Sequence, residues 1–300
     1  MNASNKNILC FGEVLWDNLP GGPKPGGAPM NVGLHLKQFG YHIGMVSRIG
    51  QDRKGELLKK FLVESGIDVD ALQTDPKLPT SEVLVHLDDD NNPTYEILEP
   101  VAWDNIEMTE QLAVLSYQAD LVIFGSLASR NTKTRETLHR MLNAKSFKVM
   151  DINLRPPYDY KEHTEELMQR ADFIKLNEPE LEQVVNEWNK QHIPEEDKQL
   201  RWVAKTFGCE LICLTKGENG AVLYHDGMID HDPGFKVKTV DNVGAGDAFL
   251  AGFISQYLMG SRGKKALEYA CATGAFVASR EGATPKYELH EIDRIIHQRK

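Results

Sequence analysis

Short apolar segments alternate with segments of helical periodicity along most of the chain. Five apolar segments end in glycine or a polar residue, as buried strands do: residues 8–12, 121–125, 148–151, 173–177 and 211–215. Helical patterns separate them, including residues 30–39, 55–65, 132–142 and 178–188. Because strands that alternate with helices imply right-handed crossovers, the pattern predicts an α/β fold with a mainly parallel central sheet flanked by helices.

One region departs from this alternation. Residues 81–87 and 94–98 have the pattern of two strands around an acidic turn at 88–93, which predicts an inserted hairpin. Such a hairpin can be a lid, an oligomer contact, or an edge hairpin that serves only solubility. We find no interdomain linker, so we expect one domain over residues 1–300, with a small β lid built from about 15–27 and 80–103.

Composition and charge narrow the classes of function. The chain has 300 residues, of which 41% are hydrophobic, and can therefore bury a large core. A net charge of −10 without a strong basic run argues against nucleic acid or an anionic membrane as a partner. Residues 1–7 are short and polar, so we expect no signal peptide and a cytoplasmic protein. The four cysteines lie in apolar segments, which predicts buried thiols.

The most informative segment is a glycine turn, D-N-V-G-A-G-D at 241–247, that leads directly into an apolar helix. Gly244 and Gly246 lack a Cβ, so an anion can approach the backbone at the positive end of the helix dipole. Asp247 lies in the first turn, where the dipole favours its ionised form. A carboxylate repels a bound anion but can accept a proton from an attacking hydroxyl, which predicts phosphoryl transfer to an alcohol. An ordinary loop-to-helix junction is the alternative.

This turn and a second glycine motif resemble the two signatures of the ribokinase-like (PfkB) family of sugar kinases. The first signature corresponds to G-G-A-P-M-N-V-G at 26–33 and G-Q-D-R-K-G at 50–55. The second, usually D-T-x-G-A-G-D, corresponds to 241–247, where Asn242 replaces the threonine. Asn242 keeps a hydrogen-bonding side chain but leaves open any nucleotide or cation contact of the threonine hydroxyl. The resemblance covers nearly the whole chain and implies a ribokinase-like fold.

The resemblance also implies roles for single residues. Asp247 corresponds to the catalytic base, and the anion hole corresponds to Gly244, Ala245 and Gly246. In relatives a glycine pair and the following asparagine bind the sugar, and a carboxylate beyond the first strand binds two sugar hydroxyl groups. These residues correspond to Gly27, Asn31 and Asp17. Taken singly, the asparagine can be a helix cap and the carboxylate a surface turn residue.

The segment D-I-N-L-R-P at 151–156 resembles the D-x-N-x-R segment of fructokinases and 2-keto-3-deoxygluconate kinases. The resemblance indicates Asn153 as a substrate-binding residue and Arg155 as a catalytic one. The planar guanidinium group of Arg155 can donate two parallel hydrogen bonds to anionic oxygens. These oxygens can belong either to the phosphoryl group that is being transferred or to the substrate. A surface ion pair is the alternative for Arg155.

Two further motifs imply nucleotide and metal binding. Asn177 and Glu180 match the family's N-x-x-E motif, which places magnesium and phosphate. Because Mg²⁺ keeps several waters, we expect Glu180 to act on it through water. Thr215, Gly217 and Gly220 match a nucleotide-contacting turn, T-x-G-x-x-G. A helix start at the first motif and a plain hairpin at the second are the structural alternatives.

The resemblance implies ATP and Mg²⁺ as cofactors. Residues 270–283 correspond to the region that lines the adenine pocket in relatives and often supplies carbonyl ligands to a monovalent cation such as K⁺. The chain has no P-loop motif and none of the H-R-D and D-F-G segments of protein kinases.

We therefore expect an ATP-dependent sugar kinase that phosphorylates a primary hydroxyl of a small sugar. Fructose is favoured because segments 26–31 and 99–104 resemble bacterial fructokinases. A 2-keto-3-deoxygluconate kinase or another PfkB sugar kinase is the near alternative, and a catalytically silent sugar-binding regulator is the alternative from a different class. Lid hairpins of relatives often pair between subunits, which implies a homodimer.

Overall fold

The computed structural model describes residues 6–19, 21–87 and 93–299, so residues 1–5 of the polar N-terminal segment and 88–92 of the predicted acidic turn lie outside the described residues. The described residues form the following strands: β1 Asn7–Phe11, β2 Leu15–Leu19, β3 Gly22–Gly26, β4 His42–Gly50, β5 Leu72–Asp75, β6 Ser81–Leu87, β7 Pro93–Ile97, β8 Leu121–Gly125, β9 Phe147–Asp151, β10 Phe173–Asn177, β11 Leu211–Thr215, β12 Ala221–His225 and β13 Met228–Asp232. They form the following α-helices: α1 Ala28–Gln38, α2 Arg53–Glu64, α3 Glu110–Gln118, α4 Thr132–Met141, α5 Lys161–Met168, α6 Glu178–Glu182, α7 Glu196–Phe207, α8 Ala245–Leu258, α9 Gly263–Ala278 and α10 Leu289–Arg299.

The central sheet has nine strands in the order β13-β12-β11-β10-β9-β8-β1-β4-β5. Neighbouring strands from β11 to β5 pair in parallel, and β12 and β13 add an antiparallel hairpin at one edge. Helices α3 to α7 cover one face, and α1, α2, α8 and α9 cover the other. Both faces of the sheet are therefore buried, which explains the continuous apolar runs. The predicted α/β class, with a mainly parallel sheet flanked by helices, is confirmed.

The strands and helices predicted above are present, and their ends differ from the predicted ones by two residues or fewer, except that the helix predicted over residues 178–188 is an α-helix only as far as Glu182. The helix that begins at Glu178 continues as a π-helix over Gln183–Trp188. Strand β4 was not predicted, because Ser47 and Arg48 interrupt its apolar pattern. Both residues are buried in the structure, and Arg48 Nε lies 3.0 Å from Asp75 Oδ2. A paired arginine can thus occupy a buried strand that sequence periodicity does not indicate.

The predicted hairpin belongs to a second, smaller sheet with the strand order β3-β2-β6-β7. Strand β2 pairs antiparallel with β3 and parallel with β6, and β6 pairs antiparallel with β7. The chain then returns to the main core as a 3₁₀-helix over Ala102–Asn105, in which Trp103 is fully buried. The small sheet therefore combines residues 15–26 with 81–97. Its action as a lid stays a prediction.

A buried ion pair between Arg130 and Asp104 lies next to the end of β7, where the chain leaves the small sheet. Arg130 donates from Nε and Nη2 to the two carboxylate oxygens of Asp104 at 2.7 and 2.8 Å. Its Nη2 also donates to the carbonyl oxygen of Leu98 at 2.8 Å, one residue beyond β7. The guanidinium carbon lies 4.0 Å from the centroid of the Trp103 ring, within the range of a cation–π contact. Arg130 thus ties the end of the small sheet to the 3₁₀-helix.

We expect Asp104→Ala to lower the free energy of unfolding by about 3–5 kcal/mol, because it leaves a buried guanidinium group without its counter-charge. Denaturant unfolding followed by circular dichroism measures this change. Glu195→Ala is the matched control, since Glu195 pairs with Lys198 at the surface and its loss should change little. Similar effects of the two substitutions would contradict the role of the buried pair.

Within the described ranges, no helix has both the length and the apolar character needed to cross a membrane. The cysteines Cys10, Cys209, Cys213 and Cys271 are buried free thiols, as the sequence predicts.

Candidate active site

Polar residues that end several strands meet at one edge of the central sheet. Asp151 ends β9, Asn177 ends β10 and Thr215 ends β11. These strands are parallel, so their carboxyl ends lie on the same side. Ligands of open α/β sheets bind at this edge.

The first turn of α8 lies at the same edge and offers free backbone donors. Gly244 precedes the helix with φ 76°, and a Cβ there would lie 2.4 Å from the carbonyl oxygen of Ala283. Within the described ranges, no side chain caps the helix. The N–H groups of Gly244, Gly246 and Asp247 have no acceptor among the described residues, whereas that of Ala245 donates to the Asn242 carbonyl at 3.3 Å. The turn can therefore receive an anion.

Asp247 stands beside these donors as the third residue of α8. It is half-buried and accepts a hydrogen bond of 2.9 Å from Asn31 Nδ2. Burial raises the pKa of Asp247 to about 6, with a further rise from Asp151, against the opposite effect of Lys175. The expectation that the helix dipole favours the ionised form was incomplete, because desolvation outweighs it here. Such a carboxyl group is still ionised at neutral pH and is a stronger base than an ordinary aspartate.

Helix α1 brings Asn31 to Asp247. Gly27 precedes the helix with φ 120°, and a Cβ there would lie 2.3 Å from the carbonyl oxygen of Glu13. The backbone N–H of Asn31 donates to the Gly27 carbonyl at 2.9 Å, so Asn31 lies inside the helix and is not its cap. Its side chain is buried, and Oδ1 has no partner among the described residues. This oxygen is available to a hydroxyl group.

Asp17 lies in β2 of the small sheet, so the alternative of a surface turn residue is wrong. Its Oδ2 faces the backbone of Gly26, where an added Cβ would lie only 2.1 Å away. Burial raises the pKa of Asp17, and the positive charge of Arg155 opposes this rise. Asp17 therefore lies against the glycine pair, within electrostatic reach of Arg155.

The segment after β9 places Asn153 and Arg155 at the edge of the sheet. Asn153 is half-buried and has a left-handed backbone, with φ 44°, which asparagine tolerates better than most residues. Arg155 is exposed and donates from Nη1 to the carbonyl oxygen of Leu154 at 3.0 Å. It forms no ion pair among the described residues. Its charge lowers the pKa of Asp247, so its guanidinium group is near the site.

Asn177 and Glu180 form a reciprocal capping box at the start of α6. Asn177 Oδ1 accepts from the backbone N–H of Glu180 at 2.9 Å, and Glu180 Oε2 accepts from that of Asn177 at 2.8 Å. Glu180 Oε1 also accepts from the N–H of Leu154 at 2.9 Å. The helix-start alternative is therefore present. Both carboxylate oxygens are engaged, so the buried Glu180 fits a contact with Mg²⁺ through water better than direct ligation.

The predicted nucleotide turn lies between β11 and β12, which pair antiparallel, so the hairpin alternative is also present. Thr215 Oγ1 donates to the Leu176 carbonyl at 3.3 Å. Gly217 has φ 54° and open space where a Cβ would lie, whereas Gly220 packs against the Asp232 carbonyl. In the described part of the chain, none of these three residues forms a hydrogen bond with Asp247, and a role in nucleotide binding stays a prediction.

Two buried charged residues at this site were not predicted. Lys175 Nζ lies 3.0 and 2.9 Å from the two carboxylate oxygens of Asp151, and a Cβ on Gly246 would lie 3.1 Å from the same Nζ. Its ammonium group is thus directly behind the first turn of α8. Glu13, after β1, is also buried beside Gly27. The only sequence signals were a lysine inside an apolar run and an acid directly after a strand.

Comparisons with known proteins identify relatives of this chain. A sequence model described as pfkB family carbohydrate kinase matches residues 20–289. Fructokinase from Escherichia coli is 28% identical over 261 residues, which cover 83% of this chain and 83% of that protein. The structure of fructokinase with bound ATP from Xylella fastidiosa has a TM-score of 0.85 at 22% identity and covers 98% of both chains. A double-mutant fructokinase from Vibrio cholerae O395, in a form bound to fructose, ADP and potassium ion, has a TM-score of 0.80 at 22% identity and covers 98% of this chain and 99% of that chain.

The structural likeness covers nearly the whole of each chain, so the expected ribokinase-like fold is confirmed. The predicted resemblance to bacterial fructokinases is confirmed as well. Since the family match extends over most of its length, the chain belongs to the pfkB family of carbohydrate kinases.

Proposed function

We propose that the protein is an ATP-dependent fructokinase, which transfers the γ-phosphoryl group of ATP to a primary hydroxyl of fructose. The proposal depends mainly on the contact between Asn31 and Asp247 beside the free amides of α8. This contact joins a side chain suited to a sugar hydroxyl, a base and an anion site in one cluster. A protein that only binds sugar has no need of that combination.

In the proposed reaction, the sugar hydroxyl attacks the γ-phosphorus of ATP, the bond from that phosphorus to the bridging oxygen breaks, and ADP leaves. Asp247 accepts the proton of the attacking hydroxyl as the new oxygen–phosphorus bond forms. An alcohol is a far weaker acid than a carboxylic acid, so the proton moves late, once attack has made the hydroxyl acidic. The free N–H groups of Gly244 and Gly246 stabilise the charge on the moving phosphoryl group. Arg155 adds a positive charge at the open side of the site.

ATP is the proposed donor, and its use favours a cytoplasmic location. Mg²⁺, when bound, neutralises charge on the phosphate oxygens, and Glu180 would hold it through water. The potassium ion in the Vibrio cholerae structure supports a monovalent cation as a further cofactor.

The charges at the site favour a neutral sugar. Glu13, Asp17 and Asp247 are three carboxyl groups near Arg155: burial raises the pKa of each, and the positive charge of Arg155 opposes the rise in all three. These carboxyl groups, where ionised, would repel an acid substrate such as 2-keto-3-deoxygluconate, whereas the hydroxyl groups of fructose can donate hydrogen bonds to them. The exposed guanidinium group of Arg155 is the observation that supports the acid as the second candidate.

A coupled ADP-release assay with fructose, ribose, 2-keto-3-deoxygluconate and adenosine tests the proposal. We expect fructose to give the highest kcat/KM. A higher value for 2-keto-3-deoxygluconate would favour the acid kinase. Release with none of the four, together with measurable binding of fructose, would favour the silent sugar-binding regulator.

We expect the kcat/KM for the sugar to fall as the pH decreases through about 6. The pKa of Asp247 is raised to about 6, and only its deprotonated form can accept a proton, so activity is lost on the acid side. The loss should approach about tenfold per pH unit below that pKa. Phosphorus-31 NMR of the sugar phosphate measures the rate without coupling enzymes. A rate that stays constant to about pH 5 would contradict Asp247 as the base.

We also propose that the small sheet closes over the sugar and supports a homodimer. Strands β3 and β7 are its edges among the described residues, and an exposed edge can pair with a second copy. Size-exclusion chromatography with light scattering tests this pairing, and a monomer at all concentrations would contradict it.

A further inference from the structure

Glu13 has a buried carboxyl group of which only one oxygen has a partner. Its side chain is among the buried residues, at 3% exposure. Oε1 accepts from the backbone N–H of Ala28 at 3.2 Å. Oε2 has no donor among the described residues. A buried acceptor without a hydrogen bond costs free energy, so such atoms in native proteins usually meet a ligand or an ordered water.

Three observations place Glu13 at the proposed sugar end of the site. Ala28 is the first residue of α1 and directly follows Gly27. The backbone of Gly27 packs so closely against Glu13 that an added Cβ would lie 2.3 Å from its carbonyl oxygen. The charges of Arg155 and Asp247 both act on the Glu13 carboxyl group. Glu13 therefore lies beside the glycine pair and within electrostatic reach of the proposed base.

A second acceptor without a partner lies on the same helix start. Asn31 Oδ1 is buried and has no donor among the described residues, while Nδ2 of the same amide contacts Asp247. These two buried acceptors lack donors among the described residues; one belongs to a side chain that contacts the proposed base, and the other lies within electrostatic reach of it, so together they match a ligand with several O–H donors. A polyhydroxylated sugar has that chemistry.

We propose that Glu13 is a substrate-binding residue, whose free carboxyl oxygen accepts a hydrogen bond from a hydroxyl group of the sugar. The inference rests on the proposed function, because it requires the sugar to occupy the space beside Gly27. It adds a second carboxyl group to the sugar contacts implied for Asp17. A merely structural role is the competing account, since Oε1 of Glu13 also accepts a hydrogen bond from the first N–H of α1, which no other side chain of the described residues caps.

Glu13→Gln separates the two roles. Glutamine keeps one oxygen for the N–H of Ala28 and replaces the free acceptor with an NH₂ donor. Burial raises the pKa of Glu13 to about 7, so the affinity for fructose is measured at about pH 8, where the carboxyl group is mostly ionised. By calorimetry without nucleotide, we expect this affinity to fall by about 10- to 100-fold, as for the loss of a hydrogen bond to a charged group. We expect the KM for ATP to change less than about twofold, since the substitution removes binding of sugar alone.

Deoxy analogues of fructose identify the hydroxyl. We expect one monodeoxy analogue to bind the wild-type protein more weakly than fructose does. The Glu13→Gln variant should bind that analogue at least as well as it binds fructose, because the substitution and the missing hydroxyl remove the same hydrogen bond. Equal losses for fructose and for every analogue would show that Glu13 only positions α1 and would overturn the proposal. An unchanged affinity for fructose would overturn it too.

Thr164→Val is the matched control. Thr164 is fully buried in α5 and its hydroxyl also has no partner among the described residues, but it does not belong to the site. Its replacement should leave fructose binding unchanged. If wild-type protein binds no fructose, the proposed function fails before Glu13 is tested. If Glu13→Gln does not fold, a structure of the wild-type complex decides: Oε2 should lie within about 3.2 Å of a sugar oxygen, and a larger distance overturns the proposal.

Discussion

Replacement of Asp247 by asparagine is expected to lower kcat for sugar phosphorylation by about 10²- to 10⁴-fold, the usual contribution of a general base. The amide has the size and shape of the carboxylate, and its oxygen can still accept from Asn31 Nδ2, so the contact between α1 and α8 is kept. What the amide cannot do is take a proton. Sugar affinity should therefore stay within about threefold of the wild-type value, while turnover is lost.

Initial rates and calorimetric sugar binding, measured on the same preparation, check this expectation. Asp226→Asn is the matched control, because Asp226 is an exposed acid between β12 and β13, outside the proposed site. The control should retain wild-type turnover. Near-normal turnover of the Asp247 variant would remove this residue from the mechanism, and a parallel loss of sugar binding would indicate that the carboxylate holds the substrate.

Gly244→Ala is expected to lower kcat by about 10²- to 10³-fold, comparable with the loss of one donor from an oxyanion hole. Gly244 has φ 76°, and an added Cβ would lie 2.4 Å from the carbonyl oxygen of Ala283. That carbonyl is held by Nε2 of the buried His35 at 3.0 Å, so it cannot move away freely. The turn must shift instead, and its free N–H groups move with it.

Gly260→Ala is the matched control for backbone strain. Gly260 lies just beyond the other end of α8 with φ 89°, and a Cβ there would have nothing within 4 Å. Both substitutions impose a left-handed backbone on alanine, but only the first disturbs the anion site. We expect both to lower the melting temperature and only Gly244→Ala to lower kcat. Equal effects on kcat would mean that the α8 amides do not act in catalysis.

The fold was predictable because its central strands are buried on both faces. Continuous apolar runs such as β8 and β10 result directly from that burial. Strand β4 escaped prediction because the burial of Arg48 depends on Asp75, which is distant in the sequence. Sequence periodicity reflects the burial pattern of one segment, whereas a buried ion pair depends on charged residues in two segments that are distant in the sequence.

The residues of the candidate site also fall into two groups: those that a local sequence pattern predicts and those that it does not. Gly244 and Asp247 were predicted because a glycine turn that enters a helix has a local signature. Lys175 and Glu13 were not, since each is distinguished only by burial beside residues from other elements. The same reason explains why the pKa of Asp247 differs from the expectation: the helix dipole is local, but desolvation comes from the packed fold.

The central claim is that a proton acceptor and a set of phosphate-binding amides meet at the start of α8. A crystal structure of the protein with fructose and a non-hydrolysable ATP analogue tests it most directly. We expect an Asp247 carboxylate oxygen at about 2.6–3.2 Å from the primary hydroxyl, with the γ-phosphate against the N–H groups of Gly244 and Gly246. A fructose hydroxyl far from Asp247, in a closed complex with the phosphates bound elsewhere, would contradict it.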